Sequence, residues 1–293
     1  MAFLDKSILH SYFKLMRLDS CLSVLWCYLF PGLSGIALAT NNVQQIIYYT
    51  ILFLIGAFLM RPVGCTISDI FDRKIDAEVE RTQDRPLAKG ILSVKQALIL
   101  LMLLTPLAFV VLLLTNKTTI ILGIICMPMV IVYPLLKRYF WWPQFFLGLT
   151  INFGALMGWS AIRDNLSLQS VLLYIGCVFW TLGYDTIYAH QDKEDDVKIG
   201  IKSTAIYFGD KTKLWLKRFY LMSLTMWASM ALISRLNIFF YITILAVSLV
   251  FYYQYKKSNF DNPINCSHMF KINSYIGLLL YVGIFLGNIF SRA

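Results

Sequence analysis

Charge is what this chain has least of. Only 14% of its 293 residues are Asp, Glu, Lys or Arg, 58% are hydrophobic, and the mean hydropathy is +0.66. Soluble domains carry roughly 25% charged residues, so the deficit excludes a soluble globule, a disordered tail and a coiled coil. Acid is scarcer than base: 16 Asp and Glu against 26 Lys and Arg leave a net charge of +10. In a soluble protein that surplus would suggest a nucleic-acid partner. In so apolar a chain it points to Lys- and Arg-rich loops on one membrane face, and no nucleic acid is expected. Histidine is limited to His10, His190 and His268, too dispersed for an imidazole metal site. The six cysteines (21, 27, 65, 126, 177 and 266) include no C-x-x-C pair and read as small buried hydrophobes. No cleavable leader is expected, because Asp5, Lys6, Lys14, Arg17 and Asp19 interrupt the first twenty residues.

Long apolar runs, by contrast, are plentiful. A bilayer core needs roughly 20 apolar helical residues. Such runs lie near Leu22–Ala39, Ile46–Ile67, Ala97–Thr115, Thr119–Leu136, Phe145–Ile162, Val171–Ala189, Leu221–Ile233, Ile238–Tyr253 and Tyr275–Phe290. The expected fold is an all-α integral membrane bundle of about nine transmembrane helices with a cytoplasmic polar cap, a single domain over residues 1–293. Residues 1–20 form an interfacial arm, with Phe3–Leu18 a short amphipathic helix. The arm and the loops after the even-numbered spans hold 21 Lys and Arg, and the opposite side holds Lys117, Arg163, Arg235 and Arg292. That asymmetry predicts a cytoplasmic (or matrix) N-terminus in a bacterial inner or mitochondrial inner membrane.

The few acids are not spread evenly. Six lie in Asp69–Asp84 and five in Asp185–Asp196, both following even-numbered spans and so expected at one membrane surface. Asp69, Asp72 and Asp76 are spaced i, i+3, i+7, which puts them on one helical face, and Asp192 and Asp196 are spaced i, i+4. Like charges stacked this way repel unless a cation lies between them. Mg²⁺ suits the donor set, because it takes a few carboxylates and fills its remaining positions with water and substrate phosphate oxygens. Arg61 falls inside the second span, where an idle cation is costly. The glycines at 56, 64, 148, 154, 158 and 183 are expected to permit close helix approach or leave room for a ligand.

The segment Ser68-Asp-Ile-Phe-Asp-Arg-Lys-Ile-Asp76, followed by Arg81-Thr-Gln-Asp-Arg-Pro-Leu-Ala-Lys-Gly90, resembles the first aspartate-rich motif of the UbiA-type intramembrane prenyltransferases. Tyr184–Thr204 resembles the second motif. With Tyr133-Pro-Leu-Leu-Lys-Arg138 and Pro143-Gln-Phe, its wording is similar to the members that act on 4-hydroxybenzoate in ubiquinone synthesis. The resemblance runs from about Met16 to Gly209. Two departures stand out: Ser68 occupies a position where the family has Asn, and Ser20-Cys21 stands where it has a basic residue and proline. A hydroxyl still reaches Mg²⁺ or a ligated water, but more weakly than an amide oxygen.

The resemblance implies Mg²⁺-dependent transfer of a prenyl group from a polyprenyl diphosphate to 4-hydroxybenzoate, with the tail in the lipid bilayer and the diphosphate at the polar rim. It implies Ser68, Asp69, Asp72, Asp192 and Asp196 as metal-side residues, with Asp76 and Asp195 beside them, within motif loops 68–90 and 185–213. Arg61, Lys74, Arg85, Lys137 and Lys198 are the basic candidates for the diphosphate. Tyr133, Tyr184 and Tyr188 are those for an allylic cation, and Arg138, or failing it Arg17, is that for the acceptor carboxylate. The Arg81/Arg85 loop is expected to close over the site. A cation-coupled transporter fits less well, because its acids would gather near the bilayer midplane. A CDP-alcohol phosphotransferase would need an Asp-Gly-x-x-Ala-Arg pattern, which is absent. Acceptors of haem or menaquinone type within the same family remain the alternative.

Overall fold

The computed structural model describes residues 6–18 and 21–292, with side chains omitted at residues 6–7, 21–28 and 292. All regular structure among the described residues is helical: α1 (Lys6–Leu15), α2 (Cys21–Ala39), α3 (Val43–Asp76), α4 (Val94–Leu113), α5 (Lys117–Leu136), α6 (Pro143–Ile151), α7 (Phe153–Arg163), α8 (Leu168–Ala189), α9 (Lys193–Ile199), α10 (Thr204–Phe208), α11 (Thr212–Ser234), α12 (Ile238–Lys257) and α13 (Pro263–Ile289). Counting α6 and α7 as one rod, seven are long and apolar enough to cross a membrane. With α2 and α11 they make nine, the expected number among the described residues. The chain is a multi-pass membrane protein.

Helix starts follow local chemistry. Asn42, Ser93, Asn116, Ser167 and Asn237 each cap a following helix by accepting backbone N–H groups with their side chains. The centre of the bundle is α8, flanked by α11, α6 and α13, while α2 packs between α7 and α13. Trp180, Trp227, Leu173 and Ile187 are fully enclosed there. The outer faces of α4 and α12 are the reverse, with Met102, Leu103, Leu245 and Leu249 each more than 60% exposed. Apolar side chains turned outward on long helices are what a lipid solvent requires.

Helix α3 positions the polar end. Its 34 residues make a rod of about 51 Å, well beyond a hydrocarbon core of about 30 Å. The last turns, carrying Ser68 to Asp76, therefore stand at or past the rim.

Three details differ from the sequence expectation. The span near Phe145–Ile162 is broken in two at Asn152, which is fully buried and gives its amide to the carbonyl of Gly148 and the hydroxyl of Thr181, each at 2.8 Å. A buried amide satisfied by backbone interrupts the helical ladder, a break hydropathy does not register. The motif stretches expected as loops are largely helical, formed by the end of α3 and by α9 and α10. The arm is docked and not merely interfacial: Leu15 is buried against Leu87, Leu92 and Ala97. The remainder of the expected arm, Phe3 to Asp5 with Asp19 and Ser20, lies outside the described residues.

Close approach of α2 and α7 depends on glycine. A Cβ at Gly158 would collide with the Gly32 carbonyl, and one at Gly35 with the Ala155 carbonyl. Gly183 similarly accommodates the Tyr220 ring, whereas Gly56 and Gly64 have only ordinary neighbours at 3.8 and 4.0 Å and are not sites of close approach. Gly158→Val should abolish the folded monodisperse protein or cost more than the ~1–3 kcal/mol of ordinary overpacking, since backbone cannot yield. Gly56→Ala should leave thermal unfolding unchanged or slightly raised. Size-exclusion chromatography after a heating series checks both.

Candidate active site

The two acidic segments, more than a hundred residues apart, meet. Arg81, in the turn after α3, donates Nε to Asp192 Oδ1 at 2.8 Å and Nη2 to Asp192 Oδ2 at 2.6 Å. The backbone N–H of Glu80 donates to Asp195 Oδ2 at 3.3 Å. A planar guanidinium engaging both carboxylate oxygens fixes orientation as well as distance.

Asp69, Asp72 and Asp76 do share one face, and all three are buried, at 1%, 3% and 5% exposure. Carboxylates so enclosed need cationic partners, and each has one. Arg17 reaches Asp69 at 2.7 and 3.0 Å. Arg85 bridges Asp76 at 2.8 Å and Asp69 at 3.3 Å. Lys137, at the end of α5, lies 2.7 Å from Asp72 Oδ2, which also accepts from Ser68 Oγ at 3.3 Å. Arg17 is in the left-handed backbone region at φ 56°, and it turns the chain back after α1 so that its guanidinium meets Asp69.

The second bank is less enclosed. Asp196 is half-buried and has its pKa raised to about 7, first by burial and then by the neighbouring Asp192 charge, with Lys137 and Arg81 acting against the shift. Lys137 thus couples the banks electrostatically, bonded to Asp72 in one while its charge acts on Asp196 in the other. Lys198 pairs with Asp195 at 3.1 Å on the exposed side. Arg81 also covers the Tyr188 ring, its Cζ 5.2 Å from the centroid, and Tyr188 packs on Phe270 at 4.5 Å.

The other expected residues are placed as follows. Tyr184 is buried between Trp180 and Phe270 in the core. Tyr133 is half-buried one turn before Lys137. Arg138 is exposed and donates to the Phe71 carbonyl at 2.7 Å, and Lys74 is exposed on the last turn of α3. Arg61 is buried in α3, about 12 Å of helix before Asp69. Both oxygens of Asp69 are occupied by arginines, so in this state it anchors Arg17 and Arg85. The Arg81–Asp192 pairing was not anticipated. No spacing in the sequence signals it, since its two residues lie 111 positions apart.

No three His, Cys, Asp or Glu side chains among the described residues form a ready metal cage. The donors nevertheless fit a hard divalent ion. Asp72 Oδ1 is buried with no hydrogen-bond partner, a state that calls for an ion or water. Two facing banks of one or two carboxylates suit Mg²⁺ that takes its other ligands from phosphate and water.

Residues 28–276 match the model of the UbiA prenyltransferase family. The chain belongs to that family. It is 42% identical over 281 residues to a mitochondrial 4-hydroxybenzoate polyprenyltransferase of Arabidopsis thaliana, covering 95% of this chain and 69% of that protein. It is 40% identical over 282 residues to a 4-hydroxybenzoate octaprenyltransferase of Francisella tularensis subsp. mediasiatica, covering 95% of this chain and 98% of that one. Among solved folds, a UbiA homologue from Aeropyrum pernix K1 superposes with a TM-score of 0.73 at 21% identity, covering 94% and 97% of the two chains. A UbiA homologue from Archaeoglobus fulgidus bound to GPP and Mg²⁺ gives 0.69 at 18% identity, covering 94% and 99%. At such identities the likeness speaks for the family fold.

The cross-motif pair has a measurable strength. In a double-mutant cycle, Arg81→Ala and Asp192→Ala should show a coupling of about 1 kcal/mol, the upper range for a pair partly open to solvent. Removing the exposed Lys89–Asp84 pair should leave thermal unfolding unchanged.

Proposed function

We propose that the protein transfers a polyprenyl group from a polyprenyl diphosphate to the ring carbon ortho to the hydroxyl of 4-hydroxybenzoate, releasing diphosphate, as a step in ubiquinone synthesis. Support for the reaction comes from relatives of that name at 40–42% identity over about 95% of this chain. The observation that carries the chemistry is the meeting of the two aspartate-rich segments through Arg81 and Asp192, with Lys137 on Asp72 and the other Asp72 oxygen buried and unpartnered.

In this reading Asp72, Asp192 and Asp196 hold Mg²⁺, with Asp76 and Asp195 beside them and Ser68 orienting Asp72. The bound ion supplies Lewis-acid neutralisation of the leaving diphosphate. Lys137, Arg81 and Arg85, which now rest on carboxylates, exchange those partners for diphosphate oxygens; Arg61, Lys74 and Lys198 add positive potential at greater distance. Such preorganised cations stabilise charge where it develops. The C1–O bond of the prenyl diphosphate breaks with its electron pair leaving on diphosphate. The acceptor ring carbon forms the new bond to C1, and loss of the ring proton restores aromaticity.

Tyr188 is the aromatic best placed for the allylic cation, because the face that Arg81 covers already accommodates positive charge. Tyr133, half-buried one turn before Lys137, is the second candidate, and Tyr184 serves by holding the wall behind Tyr188 through Phe270. Arg138 takes the acceptor carboxylate, with Arg17 as the alternative. The 77–92 segment, held by Arg81 and Arg85, closes the site from water. The isoprenoid tail lies among the helices toward lipid. The polar end faces the cytoplasm or matrix, as the charge asymmetry of the loops supports.

Membranes containing the protein, given 4-hydroxybenzoate and a polyprenyl diphosphate, should form the prenylated acid only with divalent cation present. Asp72→Ala and Asp192→Ala should each lower the rate about 100-fold or more. Product formation indifferent to EDTA or to both substitutions would defeat the mechanism. Ser68→Asn should lower the Mg²⁺ concentration giving half-maximal rate; no change would remove Ser68 from the metal's vicinity.

A further inference from the structure

Behind the site lies a second polar feature that the chemistry leaves unused. Between α1 and the turn at residues 84–91 is a crevice of about 420 Å³, lined among others by His10, Lys14, Asp84, Lys89 and Ile91. Lys89 is held there by Asp84 at 2.7 Å. Two lysines against one aspartate leave a surplus of one positive charge, to which His10 adds when protonated. Around this polar seat the surface is apolar, with Leu9, Phe13 and Ile91 each 45–49% exposed. Three residues beyond Ile91 the chain enters α4. On that helix Leu98, Met102, Pro106 and Phe109 help to line an apolar groove of about 690 Å³, and Leu98 to Phe109 extends about 16 Å along the helix.

We propose that the crevice and the groove together bind one anionic phospholipid, its phosphate against Lys14, Lys89 and His10 and an acyl chain along α4. Charge complementarity selects this occupant. A singly charged phosphodiester matches the surplus, whereas a zwitterionic headgroup would present an ammonium to the same lysines. The placement agrees with it, since the polar seat ends at Ile91, just ahead of a lipid-facing helix whose apolar groove begins at Leu98. The site backs directly onto the two arginines that grip the first motif. Arg17 donates Nη1 to the Lys14 carbonyl at 3.0 Å while holding Asp69, and Arg85 immediately precedes the crevice residue Pro86. An occupied crevice therefore steadies both grips.

Native mass spectrometry of the full chain in detergent, titrated with phosphatidylglycerol or phosphatidylcholine, tests this. One phosphatidylglycerol should bind in preference to phosphatidylcholine. The preference should fall at least about fivefold in Lys14→Ala/Lys89→Ala. Thr105→Trp, which fills the groove, should weaken binding with the lysines intact, and Lys256→Ala/Lys257→Ala should leave it unchanged. Hydrogen exchange at residues 8–15 and 84–92 should slow on adding phosphatidylglycerol. Equal loss in the 256/257 variant would reduce the effect to general basic attraction and overturn the site. Competition by free glycerol phosphate would make it a phosphate site without a lipid, one-for-one displacement by a polyprenyl diphosphate would make the groove a substrate track, and dimers lost in Thr105→Trp would make it a contact between copies. Each of these would also overturn it.

Discussion

Everything at the polar end depends on neutralising carboxylates that are held out of water. Asp69, Asp72 and Asp76 are almost completely enclosed, and the cost of such burial is several kcal/mol per ion unless a partner is supplied. Arginine and lysine from three other stretches of chain supply it: Arg17 after α1, Arg85 from the turn after α3, and Lys137 at the end of α5, while Arg81 of the same turn answers Asp192. These ion pairs draw distant segments to one point and shape the site in doing so.

The same arrangement bears on chemistry. A carboxylate held by a cation is stable without substrate, and in the proposed reaction a cation held by a carboxylate would already be in place for an arriving diphosphate. Exchange of partners then needs little movement and leaves no buried charge unpaired. Tyr188 illustrates the economy of the layout: one ring packs at a tilt on Phe270 and receives the guanidinium of Arg81. Below the rim the bundle is apolar and closely fitted, with glycines letting α2 and α7 touch.

Much of this was legible in the residues. The apolar runs marked all nine rods, because the bilayer imposes length and composition on any helix that crosses it, but not the polar extensions of α3 past Ile67, α11 before Leu221 and α13 before Tyr275. The aspartate spacings put three carboxylates on one face, because helical period alone decides that. Less was legible where partners come from elsewhere. The break at Asn152 depends on Thr181 of another helix. The docking of α1 depends on Leu87 near the end of the first motif and Leu92 just beyond it. The bond from Arg81 to Asp192 spans 111 positions, and no local pattern encodes it.

The amino-acid order by itself determined the membrane class, the helical architecture, the clustering of acid into two segments and the family to which those segments belong. The first three follow from period, length and composition, and the family from the resemblance of the two motifs; all are properties of contiguous chain. Only the tertiary structure decided which cation answers which carboxylate, that Lys137 couples the banks, that one oxygen of Asp72 is left unanswered, and that α1 closes against the motif. Pairing energies in a low-dielectric interior act through space, and packing chooses the neighbours.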